Sequence, residues 1–235
     1  AMGKVSIPDL AVPELGLHLD VGQIINQIVS LEVGEQTPMV DVFLLFDDTG
    51  SFSSYAPRVA AFFPQIINEL TAAFPEVDFA FGVGRFDDYA FGSHGSPFIL
   101  NQPVISTKTE GFWESIKAAL GSDRSPSNYV YDDPESLLEA LYQLATGAGF
   151  DGNNNGSKMD HGPAGLLPTQ TERNNSGDVP PFDSFIADPE NNILPPQGSI
   201  GGGGFRTGAL PIIIAATDTG FGYQPEGLEK VVGAN

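Results

Sequence analysis

The 235-residue sequence contains no cysteine, which excludes a disulfide framework and a thiolate metal site and leaves the redox compartment unmarked. Basic residues are scarce. Ten Lys and Arg stand against thirty Asp and Glu, a formal net charge of -20, and so little positive charge argues against nucleic acid as a partner. Divalent cations suit this balance, and so does plain solubility in a salty medium. No apolar run approaches the roughly 20 residues of a membrane-spanning helix, so no membrane insertion of this segment is expected. The three histidines, His18, His94 and His161, stand isolated in loop-like contexts. No serine sits in a nucleophile elbow beside a plausible base, and no enzyme is expected. The opening AMGKVSIPD has no basic segment leading into an apolar core, and Ala1, Met2 and Gly3 read as a cloning remnant.

What is present is enough apolar residue, 41% with 17 Phe, to build one large domain with a sizeable core. The stretch MVDVFLLFDDTGSFSSYAPRV, residues 39 to 59, organises it. Val40 to Phe46 is short and rich in Val, Phe and Leu, which predicts a strand buried on both faces. Asp47 ends the strand, Thr49 and Ser51 follow at alternate positions, and Gly50 permits a tight turn before a helical pattern begins. Oxygen side chains at such a tip are the donors a hard divalent cation takes: Mg²⁺ prefers octahedral oxygen and keeps waters that a partner's carboxylate can replace. A second reading is that these residues only cap and turn into the helix. The adjacent acids of FDDTG diverge on a strand, which argues against a phosphotransferase loop.

Asp47-x-Thr49-x-Ser51 after an apolar strand resembles the metal-ion-dependent adhesion site of von Willebrand factor A domains, the fold of integrin inserted and inserted-like domains. Two further stretches carry the same resemblance. ALPIIIAATDTGF (209 to 221) reads as a second buried strand ending at Thr217-Asp218, and DDPESLLEAL (132 to 141) is similar to the integrin beta-subunit loop that supplies a glutamate, here Glu135. The resemblance implies an α/β, doubly wound, mainly parallel sheet flanked by helices over residues 38 to 235, and a sheet lacking its last strands, because in that family two further strands follow the position of Asp218. It implies a primary site of Asp47, Thr49, Ser51, Glu135 and Asp218 holding Mg²⁺ or Mn²⁺. It also implies divalent-cation-dependent binding of a protein or surface ligand that presents a carboxylate, in an extracellular or cell-surface setting. The alternatives are a cytoplasmic assembly module, like those of chelatase and ATPase complexes, and a structural domain whose ions only stabilise it.

Two secondary sites follow. By the same resemblance Asp88, Asp132, Glu135 and the Pro134 carbonyl form a Ca²⁺ site, although Val130 stands where the family has an asparagine ligand. Ser53 and Ser54 replace the paired aspartates of the adjacent inhibitory site, which implies its loss. Separately, DGNNNGSKMD places Asp151, Asn153 and Asn155 before Gly156 at the opening spacing of an EF-hand loop, with Asp160 as a substitute for the missing closing glutamate; the other reading is an Asn and Gly-rich turn.

For the rest of the chain, residues 1 to 37 read as an extended arm or linker with one short helix or strand. Tyr55 to Phe74 has helical apolar spacing, with Pro64 predicting a kink or a late start. Val77 to Phe86 and Phe98 to Ile105 read as neighbouring strands joined through GSHGS, residues 109 to 120 as a helix capped by Thr109, and Pro134 to Leu144 as a helix capped by Asp132 or Asp133. Residues 147 to 208 read as a long Gly, Asn, Pro and Ser-rich insertion, of the kind that is functional, ion-stabilised or partly disordered.

Overall fold

The computed structural model describes residues 38–89, 97–121, 135–152, 154–158, 178–185 and 187–218. These fall in the unit Thr37–Asn235. The predicted first strand is β1, Met39–Asp47, and it is buried from Asp41 onward. A strand apolar on both sides needs a layer over each face of its sheet, which the helices of an α/β fold provide. That is the fold found.

β2 (Asp78–Phe86) lies parallel to β1 on one side, and β4 (Leu210–Ala216) lies parallel to it on the other. β3 (Ile99–Ser106) runs antiparallel to β2, giving the order β3-β2-β1-β4. Helices α1 (Ala56–Ala73) and α2 (Phe112–Leu120) cover one face of the sheet. Phe63 and Ile67 of α1 and Phe112 and Ile116 of α2 pack there with Val42, Leu44, Phe79 and Phe81 of the strands. Helix α3 (Leu137–Thr146) covers the other face, where Ala140 and Leu144 meet Phe43, Leu45 and Phe86. The sheet is therefore mixed, mostly parallel and wound on both faces. Among the described residues no helix is long and apolar enough to cross a membrane.

Several expectations need correction. Helix α1 does not start late: it begins at Ala56, with Pro57 in its first turn, and continues through Pro64, which gives up the hydrogen bond its own nitrogen would donate. Thr109 does not cap α2. Its carbonyl accepts the Phe112 N–H, and the cap position belongs to Gly111 at φ 79°, a left-handed conformation that glycine takes without a Cβ penalty. Helix α3 starts at Leu137 rather than Pro134, because Glu135 and Ser136 are held against the end of β2: the Ser136 N–H and hydroxyl both donate to the Asp87 carbonyl, at 3.2 and 2.9 Å. The proposed caps Asp132 and Asp133, the GSHGS connection and residues 1 to 37 lie outside the described residues.

β4 departs most from expectation. It is a strand where predicted, but Leu210, Ile212 and Ile213 are each about two-fifths exposed, not buried. The reason is topological. β4 pairs with β1 and ends the sheet among the described residues, so a sequence suited to an interior strand stands at the margin.

The insertion after α3 contributes to the core. Phe150, Val179, Ile193 and Phe205 are buried on the α3 side of the sheet. The insertion also closes the outer edge of β3: Val104 N–H donates to the Gly203 carbonyl at 2.8 Å, and Gln197 N–H donates to the Val104 carbonyl at 3.0 Å. The buried Gln102 amide extends this edge like a short strand, donating to the Leu194 carbonyl and accepting from the Leu194 N–H, both at 3.0 Å.

Candidate metal centre

β1 and β4 are neighbours whose carboxyl ends point the same way, while the chain leaves β1 for β2 on the opposite side. That crevice is where open α/β sheets hold ligands. Two loops bring oxygen atoms to it. After β1, the Asp47 carboxylate accepts the Thr49 N–H at 2.8 Å and the Thr49 hydroxyl at 2.6 Å, which folds the loop back on the strand end. The hydroxyls of Thr49 and Ser51 lie 3.1 Å apart. After β4, the Thr217 hydroxyl donates to the second Asp47 oxygen at 2.8 Å, and the Ser51 hydroxyl donates to Asp218 at 3.2 Å, across 167 residues of sequence.

Asp47, Thr49, Ser51 and Asp218 of the expected set therefore come together. Thr217, which the sequence does not single out as a site residue, joins them; the signal was a hydroxyl at the end of an apolar strand, directly before Asp218. Glu135 is buried and sits next to Ser136 at the end of β2. Among the described residues no three His, Cys, Asp or Glu side chains gather at one point, so this centre is two carboxylates and three hydroxyls.

Burial is deepest at Asp47, which is fully inaccessible, and Thr49 is 1% exposed. Burial pushes the Asp47 carboxyl above its ordinary value, the Thr49 and Thr217 donors pull it down, and the Asp218 charge raises it again. Of the reading that these residues only cap and turn into the helix, the turn is present, in the Thr49 N–H donated to the Asp47 carboxylate, and the side-chain cap is not. The cap position of α1 is Tyr55 and that of the short 3₁₀ turn Ser51–Ser54 is Gly50, and neither has a side-chain cap hydrogen bond.

The donor set suits a hard divalent ion. Two ligands at right angles on an ion about 2.1 Å away are about 3.0 Å apart, close to the 3.1 and 3.2 Å separations of Thr49 from Ser51 and of Ser51 from Asp218. Asp47 and Asp218 supply charge, and the exposed Ser51 lies at the solvent side.

For the second site, Asp88 is half-buried and its carboxylate accepts the Tyr89 N–H at 2.6 Å, while Asp132 and Pro134 lie outside the described residues. Beside it are two acids the sequence reading left aside, Asp87 and Glu139, both buried. Glu139 accepts from Gln143 at 2.7 Å. Tyr89 packs close to Glu139, and its phenol is pushed upward by burial and by that carboxylate. For the loop site, Asp151 accepts the N–H groups of Asn155 and Gly156 at 3.2 and 2.7 Å, and Asn155 accepts that of Ser157 at 2.8 Å. These are the hydrogen bonds of a tight turn. Asn153 and Asp160 lie outside the described residues.

No protein-family model, no curated protein and no solved structure matches this chain.

Proposed function

We propose that the chain is a divalent-cation-dependent binding module of the von Willebrand factor A type. Asp47, Thr49, Ser51 and Asp218 would hold Mg²⁺ or Mn²⁺ directly or through water, with Thr217 orienting Asp47. The observation that carries this reading is the meeting of the Ser51 hydroxyl and the Asp218 carboxylate, from loops 167 residues apart, in the crevice between two parallel strand ends. The bound ion supplies an open coordination position for an external carboxylate. The protein supplies the geometry, and its two carboxylates would balance the double charge of Mg²⁺ without exceeding it. The partner class is a protein or surface ligand presenting Asp or Glu, in an extracellular or cell-surface setting. Ca²⁺ at Asp88 with Asp132, Glu135 and Pro134 would be an accessory ion.

Titration calorimetry with Mg²⁺ and Mn²⁺ tests the reading. We expect one site in the wild type, weakened in Ser51→Ala, and binding of a simple carboxylate such as acetate only when the ion is present. Wild-type protein that takes up no ion under millimolar Mg²⁺ or Mn²⁺, or an unaltered isotherm in Ser51→Ala, sinks the assignment.

A further inference from the structure

Between Asp47 and Thr49 in the chain, Asp48 belongs to a buried ion pair. Arg85, the next-to-last residue of β2, is fully buried and pairs with Asp48, which is 7% exposed. Replacing such a pair by apolar residues of similar volume is often neutral or stabilising, because removing two charges from water costs much of what their attraction returns. Stability alone is therefore a poor reason for Arg85 to interrupt the apolar strand DFAFGVGRF.

Its place supplies a better one. Asp48 is the residue between Asp47 and Thr49, and it is held to β2 twice: its N–H donates to the Phe86 carbonyl at 2.7 Å, and its carboxylate meets the Arg85 guanidinium. The backbone bond carries the β1–β2 pairing one residue past the strand, and the ion pair fixes which way that residue faces. From this fixed point the chain turns, and Thr49 returns its N–H and hydroxyl to Asp47.

We propose that Arg85 is a positioning residue of the cation site, acting through Asp48 to set the loop that carries Thr49 and Ser51. The inference rests on the cation-site reading above. Groups that orient ligands without touching the ion typically change metal affinity by about 10- to 100-fold when removed, and that is the loss expected here.

Charge and position predict opposite signs, which makes the test sharp. By charge alone, Arg85→Met removes a buried cation near a cation site and tightens Mg²⁺ binding, while Asp48→Asn removes an anion and weakens it. A positioning role weakens binding in both, and the double variant loses no more than either single one, because the two residues act as a unit. The measurement is Mg²⁺ and Mn²⁺ affinity by calorimetry at a temperature where circular dichroism shows each variant folded. Arg85→Lys keeps the charge but loses the planar fork that fixes a carboxylate, and it decides the matter if the neutral variants do not fold: positioning requires weaker ion binding, charge alone requires wild-type affinity. Opposite shifts in the two single variants, or wild-type affinity in all of them despite changed melting temperatures, would overturn the proposal. Failure of the underlying reading looks different, because then the wild type itself binds no ion.

Discussion

If Asp47 belongs to the proposed cation site, folding stability and ion binding pull against each other at this residue. Its carboxyl is raised above the ordinary 3.8 chiefly by burial. The unfolded chain gives up this proton near 3.8, whereas the folded chain holds it to a higher pH, so between those two values the folded state binds more protons. Stability contributed by this group is then present at low pH, falls as pH rises through the raised folded value, and stays lower above it. Asp47→Asn is accordingly expected to raise the melting temperature of cation-free protein at neutral pH, with the gain shrinking as pH falls toward 3.8. The same variant should bind Mg²⁺ more weakly, since it removes one of two carboxylates from the centre. A lower melting temperature at neutral pH in the absence of ions would contradict this account of Asp47.

At the scale of elements, the sheet depends on two close fits. In β2, Gly82 stands opposite Phe43 of β1, and a Cβ built on it would come within 2.5 Å of the Phe43 ring and 3.1 Å of the Gln102 carbonyl. Gly82→Ala therefore overfills this face, and we expect it to cost about 1–3 kcal/mol in urea unfolding, with Phe43→Leu in the same chain recovering part of the loss. At the opposite end of the sheet, Arg206 ties three segments together. Its backbone N–H and its Nε each reach the buried Asp41 carboxylate at 2.7 Å, and its Nη2 donates to the Asp78 carbonyl at 2.8 Å. This clamp fixes the segment leading into β4 against the starts of β1 and β2. Arg206→Met leaves Asp41 buried without its guanidinium, and about 3–5 kcal/mol of stability should be lost. Adding Asp41→Asn should restore much of it; equal stability of Arg206→Met and wild type would show that the clamp contributes nothing.

For the whole molecule, a formal net charge of -20 means that folding gathers like charges, and any cation taken up by the native state offsets the repulsion. Ions bound only by the folded chain stabilise it by mass action, about 2.7 kcal/mol at a hundredfold excess over the dissociation constant. The melting temperature should rise with Mg²⁺ or Ca²⁺ beyond the rise given by NaCl at the same ionic strength, and fall again with chelator. A response equal to that of NaCl would mean screening of a solvated acidic surface and no specific site. The same scale explains the exposure of β4: its Leu210, Ile212 and Ile213 are apolar as an interior strand requires, yet the described sheet ends with them.

The sequence by itself determined what depends on neighbours along the chain. Two-sided burial of β1 was legible in the run Val40 to Phe46. The helical spacing of Phe63 and Ile67 marked α1, and the alternation of Asp47, Thr49 and Ser51 after an apolar strand marked the oxygen-bearing loop. Helix starts were less legible, because the ends of α2 and α3 are set by Gly111 and by the anchoring of Ser136 on Asp87 rather than by the nearest capping side chain. Only the tertiary structure decided the rest. Strand order brings Thr217 and Asp218 to Ser51, the insertion reaches back to cover β3, and Arg85 finds Asp48. Each of these joins residues tens to hundreds of positions apart. Such contacts depend on how the strands are wound and buried together, and no local periodicity records that choice.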